Sequence, residues 1–243
     1  MDFTDDAFVL SARPHGDTGV VAELLTENHG RRAAYVAGGA SRRMKPFLQA
    51  GARVSADYRA RTSDHLGSAR LEPMGEGPSA LFDDPLALVG LAGAAAVAQG
   101  ALPEREPHPG AFLAFEALMG AFALPEVWPA VFVRFEAGLL EDLGFGLDLS
   151  RCAVSGDMDE LVWVSPRTGR AVSAAAGAPY ADKLLILPPF MLGAQAGLRS
   201  GDVRAGFDLT GHFLEQFVFH PLNRPLPSAR IWMLDKLAEA NRL

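Results

Sequence analysis

Cysteine is almost missing from this chain of 243 residues, in which Cys152 is the only one. A single thiol excludes an intrachain disulfide and fits a reducing compartment. The chain also lacks the basic and then apolar run of a secretion signal, and no run of about 20 residues is apolar enough to span a membrane. The most apolar stretch, residues 86–98, is interrupted by Gly90 and Gly93 and predicts a buried helix. We therefore expect a cytoplasmic protein that does not enter a membrane.

Enzyme signatures are missing as well. The sequence contains no phosphate-binding GxxxxGK[ST], no GxGxxG that opens a helix after a strand, and no GxSxG. Its six histidines are scattered, and none stands at metal-ligand spacing from another histidine or from Cys152. Glu136, Glu141 and Asp142 could transfer protons, but their position beside an apolar helical stripe predicts a solvated helix face. We expect no enzymatic activity, no cofactor and no small-molecule substrate.

Negative charge dominates the chain, and a net charge of -7 taken alone argues against nucleic acid. The distribution of charge is uneven, because residues 31–61 contain eight basic residues and one acidic residue, Asp57. Such a local surplus can bind phosphate while the acidic remainder limits indiscriminate attraction. A basic surface that binds nothing is an equally open interpretation of the charge alone. The eight basic residues are Arg31, Arg32, Arg42, Arg43, Lys45, Arg53, Arg59 and Arg61.

Residues 1–75 predict five short strands, because turn-forming Gly, Pro, Asn and Asp separate extended runs. In residues 53–61, small or apolar residues alternate with polar and largely basic ones, which is typical of a strand with one face in a core. Five strands in about 75 residues suit a small closed barrel such as an OB-fold. The predicted strands are residues 7–13, 18–26, 31–37, 53–61 and 66–73.

The pattern changes to that of helices after a Gly- and Pro-rich linker. Apolar residues recur every four positions from Val127 to Leu143, which predicts a strongly amphipathic helix. We therefore predict an α+β multidomain protein, with a five-stranded OB-fold barrel over residues 1–76 and a helical domain over residues 77–243. An irregular insertion at about 150–180 contains one strand-like run. The other predicted helices are residues 86–100, 112–122, 207–220 and 228–241.

A loop rich in glycine and arginine, GGASRRMKP at residues 38–46, joins the third and fourth predicted strands. Glycines let the backbone approach a phosphate, and the cations supply attraction. Tyr35 and Phe47 are near in sequence and could stack bases. Core packing is the alternative for both, and we favour it for Tyr35 because strand residues of a small barrel often point inward. The predicted DNA-binding residues are Arg31, Arg32, Arg42, Arg43, Lys45, Arg59 and Arg61.

Six segments of the chain together resemble a known family. They are AFVLSARPHGDTG (7–19), LLTENHGRRAAYVAGGASRR (24–43), LGSARLEP (66–73), FEAGLLEDLGFGLDLSRCAVSGD (135–157), SPRTGRAVS (165–173) and ADKLLILPPF (181–190). In this order and at this spacing they resemble the RecO family of DNA repair proteins. The first three resemble its N-terminal OB-fold domain, and the others resemble its central and later parts.

The resemblance implies a recombination mediator that is not an enzyme. Members of the family bind single- and double-stranded DNA and anneal complementary strands. With RecR, and in some species RecF, they load RecA onto DNA coated by the single-stranded DNA-binding protein, SSB. They also bind the acidic C-terminal tail of SSB, which ends in phenylalanine. The resemblance therefore implies a cytoplasmic, nucleoid-associated protein.

The SSB tail that the resemblance implies requires a cation beside an apolar groove on the helical domain. We predict Arg134 as that cation, since helical geometry places it at the edge of the stripe that contains Val131 and Phe135. In this interpretation the stripe receives the phenylalanine of the tail. The alternative is an ordinary arginine whose stem covers apolar neighbours.

The chain departs from the family at the zinc ligands. Many members hold zinc with two CxxC pairs in the central region. Here Ser155 stands where the partner of Cys152 would be, and Ser173 and Ala176 occupy the apparent positions of the later pair. A tetrahedral structural zinc site needs four ligands, which are usually Cys or His. The incomplete set predicts that the chain holds no zinc.

Two other classes of function stay open. The first is an OB-fold adaptor that binds only proteins, with its basic loop meeting an acidic partner. The second is a hydrolase that uses Asp or Glu with His. Salt-dependent DNA binding separates the first from a recombination mediator, and activity that survives removal of every DNA and protein partner would favour the second.

The missing ligands lead to a prediction about metal content. Purified protein should contain no stoichiometric zinc by elemental analysis, and a chelator should leave its melting temperature unchanged, because no folding energy depends on a metal. One zinc per chain would contradict the prediction.

Overall fold

The computed structural model describes residues 1–62, 65–75, 77–193 and 197–243. Its backbone contacts divide the chain into two compact units. The first unit comprises Met1–Met119 with Pro227–Met233, and the second comprises Gly120–Leu226 with Leu234–Leu243. The domain boundary expected near residue 76 stays a prediction.

Five strands form a closed barrel in the first unit, which confirms the predicted N-terminal barrel. The strand order is β1-β2-β3-β5-β4, and β4 pairs with β1 to complete the circle. Neighbouring strands are antiparallel except at the seam between β3 and β5, where Ala34 lies opposite Gly67 and Tyr35 opposite Ser68. The strands are β1 (Asp2–His15), β2 (Gly19–Thr26), β3 (Gly30–Val36), β4 (Arg53–Arg59) and β5 (Gly67–Pro73).

Alternation along the strands fills the barrel interior, as β4 illustrates. Val54, Ala56 and Tyr58 are buried, while the residues between them are only partly covered. This is the period of two that the sequence predicts, since successive strand side chains point to opposite faces. The buried core consists of Ala7, Val9, Val20, Ala22, Leu24, Ala34, Val36, Leu48, Ala52, Val54, Ala56, Tyr58, Ala69 and Leu71.

A buried carboxylate fixes the turn between β2 and β3. Asp5 accepts hydrogen bonds from the backbone N–H and the side-chain amide of Asn28, both at 2.9 Å, and lies 2.7 Å from Nδ1 of His29. Burial alone would raise the pKa of Asp5, but the hydrogen bonds from His29 and Asn28 lower it below its ordinary value overall. The turn therefore depends on an ionised Asp5.

The helices of the first unit begin beyond the barrel. A 3₁₀ turn at Lys45–Leu48 joins β3 to β4 and buries Leu48 against the barrel core. Helix α1 (Pro85–Ala101) is capped by Asp84, whose side chain accepts from the N–H groups of Leu86 and Ala87. Helix α2 (Pro109–Ala121) follows. Within the described residues, no helix is both long and apolar enough to cross a membrane.

The second unit combines helices with a small sheet. The sequence predicts one strand-like run in the insertion at about 150–180, whereas the described residues form two strands there, β6 and β7, and a third, β8, just after it, in the order β7-β6-β8. They are too short to show a reliable period, and pairing with neighbours stabilises them. The elements are α3 (Trp128–Asp142), β6 (Leu161–Val164), β7 (Ala171–Ser173), α4 (Ala174–Gly177), β8 (Leu185–Ile186), α5 (Asp202–Phe213), a π-helical segment (Leu214–Phe219) and α6 (Ser228–Glu239), which contributes to both units.

Glu136 corrects the expectation that the carboxylates of α3 lie on a solvated face. It is fully buried, and Oγ1 of Thr210 in α5 donates to its Oε2 at 2.5 Å. The same hydroxyl lies 3.1 Å from the carbonyl oxygen of Gly206. Since a buried polar group is costly without hydrogen bonds, this contact fixes α5 against α3.

Gly30 yields a test of the barrel packing. Its φ is +74°, and a Cβ built on it would lie 2.0 Å from the carbonyl oxygen of Glu106. Gly16 is the matched control, because its φ of +66° is similar but nothing lies within 4 Å of a Cβ there.

Gly16→Ala should lose about 1–2 kcal/mol of unfolding free energy, which is the cost of left-handed backbone for alanine. Gly30→Ala should lose at least about 3 kcal/mol, since backbone must also move. Urea unfolding of both variants measures the difference, and equal losses would contradict the packing argument.

Candidate nucleic-acid interface

The basic loop between β3 and β4 is folded back on itself by its own backbone. The N–H of Ser41 donates to the carbonyl oxygen of Gly38 at 3.0 Å, and those of Met44 and Lys45 donate to Ser41 at 3.1 Å. A further hydrogen bond, from the N–H of Ala40 to the carbonyl oxygen of Thr18, ties the loop to the turn between β1 and β2. Backbone hydrogen bonds therefore hold the loop in place beside the turn between β1 and β2.

The loop presents three cations to solvent. Arg42, Arg43 and Lys45 are exposed, and the described residues include no ion-pair partner for any of them. Arg61 is also exposed and unpaired in the same sense. These four of the seven predicted DNA-binding residues keep their charge available.

Arg31 is corrected by the structure, because its charge is used within the first unit. Its Nη1 lies 2.7 Å from Glu23 and 3.6 Å from Glu104, and its Nε donates to the carbonyl oxygen of Leu102 at 3.0 Å. A phosphate would have to compete with two carboxylates for this guanidinium. Arg31 therefore supports the fold, and a role for it in DNA binding stays a prediction.

Arg32 is corrected for a different reason, since it is almost fully buried. Its guanidinium lies over the rings of Phe3 and Tyr58, at 5.7 and 5.8 Å from their centroids, and its Nε donates to the carbonyl oxygen of His29 at 2.9 Å. Burial is the main cause that lowers the pKa of Arg32. A cation in this position cannot reach a phosphate.

Arg59 is exposed but lies close to acidic residues. Its Nη2 is 3.3 Å from Asp57, and β4 pairs it with Asp2 of β1. The strand rises about 20 Å from Arg53, where the loop side of the barrel begins, to Arg59. The structure therefore does not gather Arg59 with the three loop cations into one patch.

A groove opens beside the loop, and we call it the seam groove. Its volume is about 880 Å³, and it lies between the end of β3 and the second half of β5. The half-buried Phe47 and the exposed Arg43 both line it. The lining residues are Val36, Ala37, Arg43, Met44, Phe47, Ala69, Arg70, Leu71, Glu72 and Pro73.

Tyr35 does not lie in the core, contrary to the favoured interpretation of the sequence. Its neighbours Ala34 and Val36 point into the barrel, so the tyrosine side chain points outward and is half-buried. The ring covers Gly19, where a Cβ would lie only 2.2 Å from it, and the ring of His15 meets it edge-on at 5.8 Å. Tyr35 packs on the outer surface of the barrel and does not line the seam groove.

The central region lacks the donors for a structural zinc site. Cys152 is buried, and its Sγ accepts hydrogen bonds from the backbone N–H groups of Ser155 at 3.5 Å and Ser173 at 3.3 Å. Burial by itself would raise the pKa of the thiol, but these hydrogen bonds lower it to about 6. Among the described residues no group of three His, Cys, Asp or Glu side chains could hold a metal. A single thiolate cannot supply the four ligands that a structural zinc site needs.

Helix α3 carries Arg134, but its predicted apolar neighbours are arranged differently than expected. Phe135 is only 2% exposed and packs against Phe132, and Val131 is half-buried. Phe135 is therefore closed to a ligand side chain in this arrangement, and its role in binding the tail stays a prediction.

The exposed Arg134 instead borders a different cavity, which we call the α3 cavity. Its volume is about 280 Å³. A guanidinium N–H of Arg134 donates to the carbonyl oxygen of Phe190, which fixes the side chain at the rim. The lining residues are Arg134, Ala137, Gly138, Glu141, Leu147, Leu149 and Met191.

Comparison with known proteins covers nearly the whole chain. Residues 1–72 match the family model for the recombination protein O N terminal, and residues 83–225 match that for the recombination protein O C terminal. The chain is 74% identical to the DNA repair protein RecO of Phenylobacterium zucineum, over the full length of both. It is 70% identical to the DNA repair protein RecO of Caulobacter vibrioides strain NA1000, again over both full lengths. It is 50% identical to that of Rhodospirillum centenum, with 99% of this chain and 96% of the relative covered. The chain therefore belongs to the RecO family of DNA repair proteins.

Proposed function

We propose that this chain is a recombination mediator that holds DNA through the loop cations Arg42, Arg43 and Lys45. It binds single- and double-stranded DNA, anneals complementary strands and, together with RecR, helps to load RecA onto single strands coated by SSB. The single observation that carries the DNA-binding part is the group of three exposed cations on one loop, none of which has an ion-pair partner in the part of the chain that the structure describes.

Electrostatics supports this assignment over a general attraction. The protein carries a net charge of -7, so its surface as a whole repels a polyanion and only a local cluster can attract one. Ion pairing within the first unit offsets the charge of Arg31, whereas the loop cations have no carboxylate partner among the described residues. Phosphate contacts of this kind position a strand and do not read its sequence.

The proposal assigns the chain no catalytic step. Annealing and loading require that strands are held and exchanged, and contacts to phosphate suffice for holding. An adaptor that binds only proteins is the competing proposal, and the salt dependence of DNA binding decides between the two.

We also propose that the α3 cavity receives the C-terminal tail of SSB. The tail is acidic and ends in phenylalanine, and the cavity offers a fixed guanidinium at its rim with Leu147, Leu149 and Met191 along its wall. A carboxylate paired with Arg134 beside an apolar pocket is a common mode of peptide recognition. Glu141 also lines the cavity and would discriminate against additional acidic residues at that side.

The loop assignment predicts a change in salt dependence. For single strands, the logarithm of affinity falls with that of salt concentration by about 0.7 per phosphate neutralised. Replacing Arg42, Arg43 and Lys45 with Ala should reduce that slope by up to about 2 and weaken binding alike across DNA sequences. Titration of fluorescent single strands at several salt concentrations measures it.

The matched control changes the same charge elsewhere. Arg151, Arg199 and Arg224 are exposed in the second unit, and their triple Ala variant should keep the wild-type slope. Both variants should unfold within about 0.5 kcal/mol of the wild type, because the positions are on the surface. A folded loop variant with an unchanged slope would favour the adaptor.

The α3 cavity predicts a separable defect. Arg134→Glu should weaken binding of an SSB tail peptide at least about tenfold, because a charge-assisted hydrogen bond is replaced by repulsion. It should leave binding of naked DNA nearly intact. Arg199→Glu, an exposed charge reversal outside the cavity, is the control in fluorescence anisotropy, and an unchanged peptide affinity in folded Arg134→Glu would show that the tail binds elsewhere.

A further inference from the structure

The seam groove exists because the barrel closes over a very short length. Strands β3 and β5 pair at only two positions, and β3 then ends at Val36. Strand β5 continues to Pro73, paired with β4 alone on its other side. Beyond the seam the two strands separate, and the 3₁₀ turn that contains Phe47 lies at the opening. The result is a groove of about 880 Å³ directly beside the basic loop.

The lining of the seam groove combines an aromatic ring, apolar surface and one uncompensated cation. Phe47 and Met44 are both half-buried and keep part of their surface open to the groove. Arg70 pairs with Glu72 at 3.2 Å, so their charges offset each other. Arg43 is the remaining charge of the lining and has no ion-pair partner among the described residues.

This combination suits an unpaired nucleotide. Every base presents a flat π-face, so it stacks on an aromatic ring whatever the DNA sequence is. The phosphate of the same nucleotide requires a cation nearby. Arg42 and Lys45 continue the positive charge along the same loop, outside the groove. Several cations in a row match the repeated charge of a nucleic-acid backbone better than the single terminal charge of a peptide.

We infer that the seam groove binds unpaired bases of single-stranded DNA, with Phe47 as the stacking ring and Arg43 as the contact to the adjoining phosphate. The inference rests on the proposed DNA-binding function and adds a division of labour to it. Loop cations attract any DNA backbone, whereas the groove acts only on single strands, because bases in a duplex are already stacked and paired.

Abasic DNA strands provide the sharpest test, since they lack bases but keep every phosphate. Phe47→Ala and Phe47→Leu should bind a single-stranded oligonucleotide about 5- to 150-fold more weakly than the wild type, the range measured for loss of one stacked base. Both variants should bind duplex DNA as the wild type does. With an oligonucleotide abasic throughout the bound segment, wild type and variants should bind equally.

Three variants control for folding and for position. Phe47→Leu keeps most of the apolar volume in case Phe47→Ala unfolds, and Phe47→Trp restores a π-face and should restore affinity. Tyr35→Leu removes an equally half-buried aromatic ring that lies outside the seam groove, and it should leave single-strand affinity unchanged.

The possible outcomes separate this inference from the proposed function. An equal defect on normal and abasic strands, or no defect in a folded Phe47→Leu whose wild type binds single strands, would overturn base stacking and leave the loop assignment standing. Displacement of the oligonucleotide by poly-glutamate, with Phe47→Leu weakening both ligands equally, would make the groove a peptide site and also overturn the inference. A wild type that binds no DNA would overturn both proposals.

Discussion

The two-position seam between β3 and β5 is the constraint on which the barrel and the groove beside its basic loop depend. Gly67 is part of this seam, and a Cβ at that position would lie 2.2 Å from the ring of Tyr58. Tyr58 in turn stacks on Phe3 at 4.8 Å, and the buried Arg32 lies over both rings. One end of the seam is therefore filled by aromatic packing, and the other end is left as an open groove.

The arginines of the first unit divide according to their surroundings. Arg31 binds Glu23, Arg32 lies on aromatic rings, and Arg53 bridges Asp6 and Glu116. Each of these side chains connects elements that are distant in sequence, so their charges stabilise the fold. The loop cations have no carboxylate within reach among the described residues, and their exposure costs nothing in desolvation. The same residue type thus serves structure on the strands and is free for ligands on the loop.

The second unit shows how polar groups hold an arrangement that an apolar pattern does not reveal. The carboxylate of Glu136 and the hydroxyl of Thr210 connect α3 to α5 inside the core. The sulfur of Cys152 accepts hydrogen bonds from the backbone N–H groups of residues 155 and 173, so two segments of the central region meet at this sulfur. Hydrogen bonds and packing therefore make the connection between these segments in this chain.

The sequence alone determined the five-stranded barrel, the helices that follow it and the family, because each depends on periodicity or on segments that are local in the chain. It also placed the basic loop, since three cations among glycines need no tertiary information to be recognised. It could not decide that Arg31 is ion-paired and Arg32 buried against aromatic rings, that Glu136 and Phe135 are buried, or that Tyr35 points outward. Several of those properties depend on partners farther along the chain, such as Glu23 for Arg31 and Thr210 for Glu136, and a helical or strand period specifies the face of a side chain but not what covers it. The seam groove likewise arises only where two strands separate in three dimensions, so the tertiary structure alone decided that Phe47, and not Tyr35, faces the place where DNA is expected to bind.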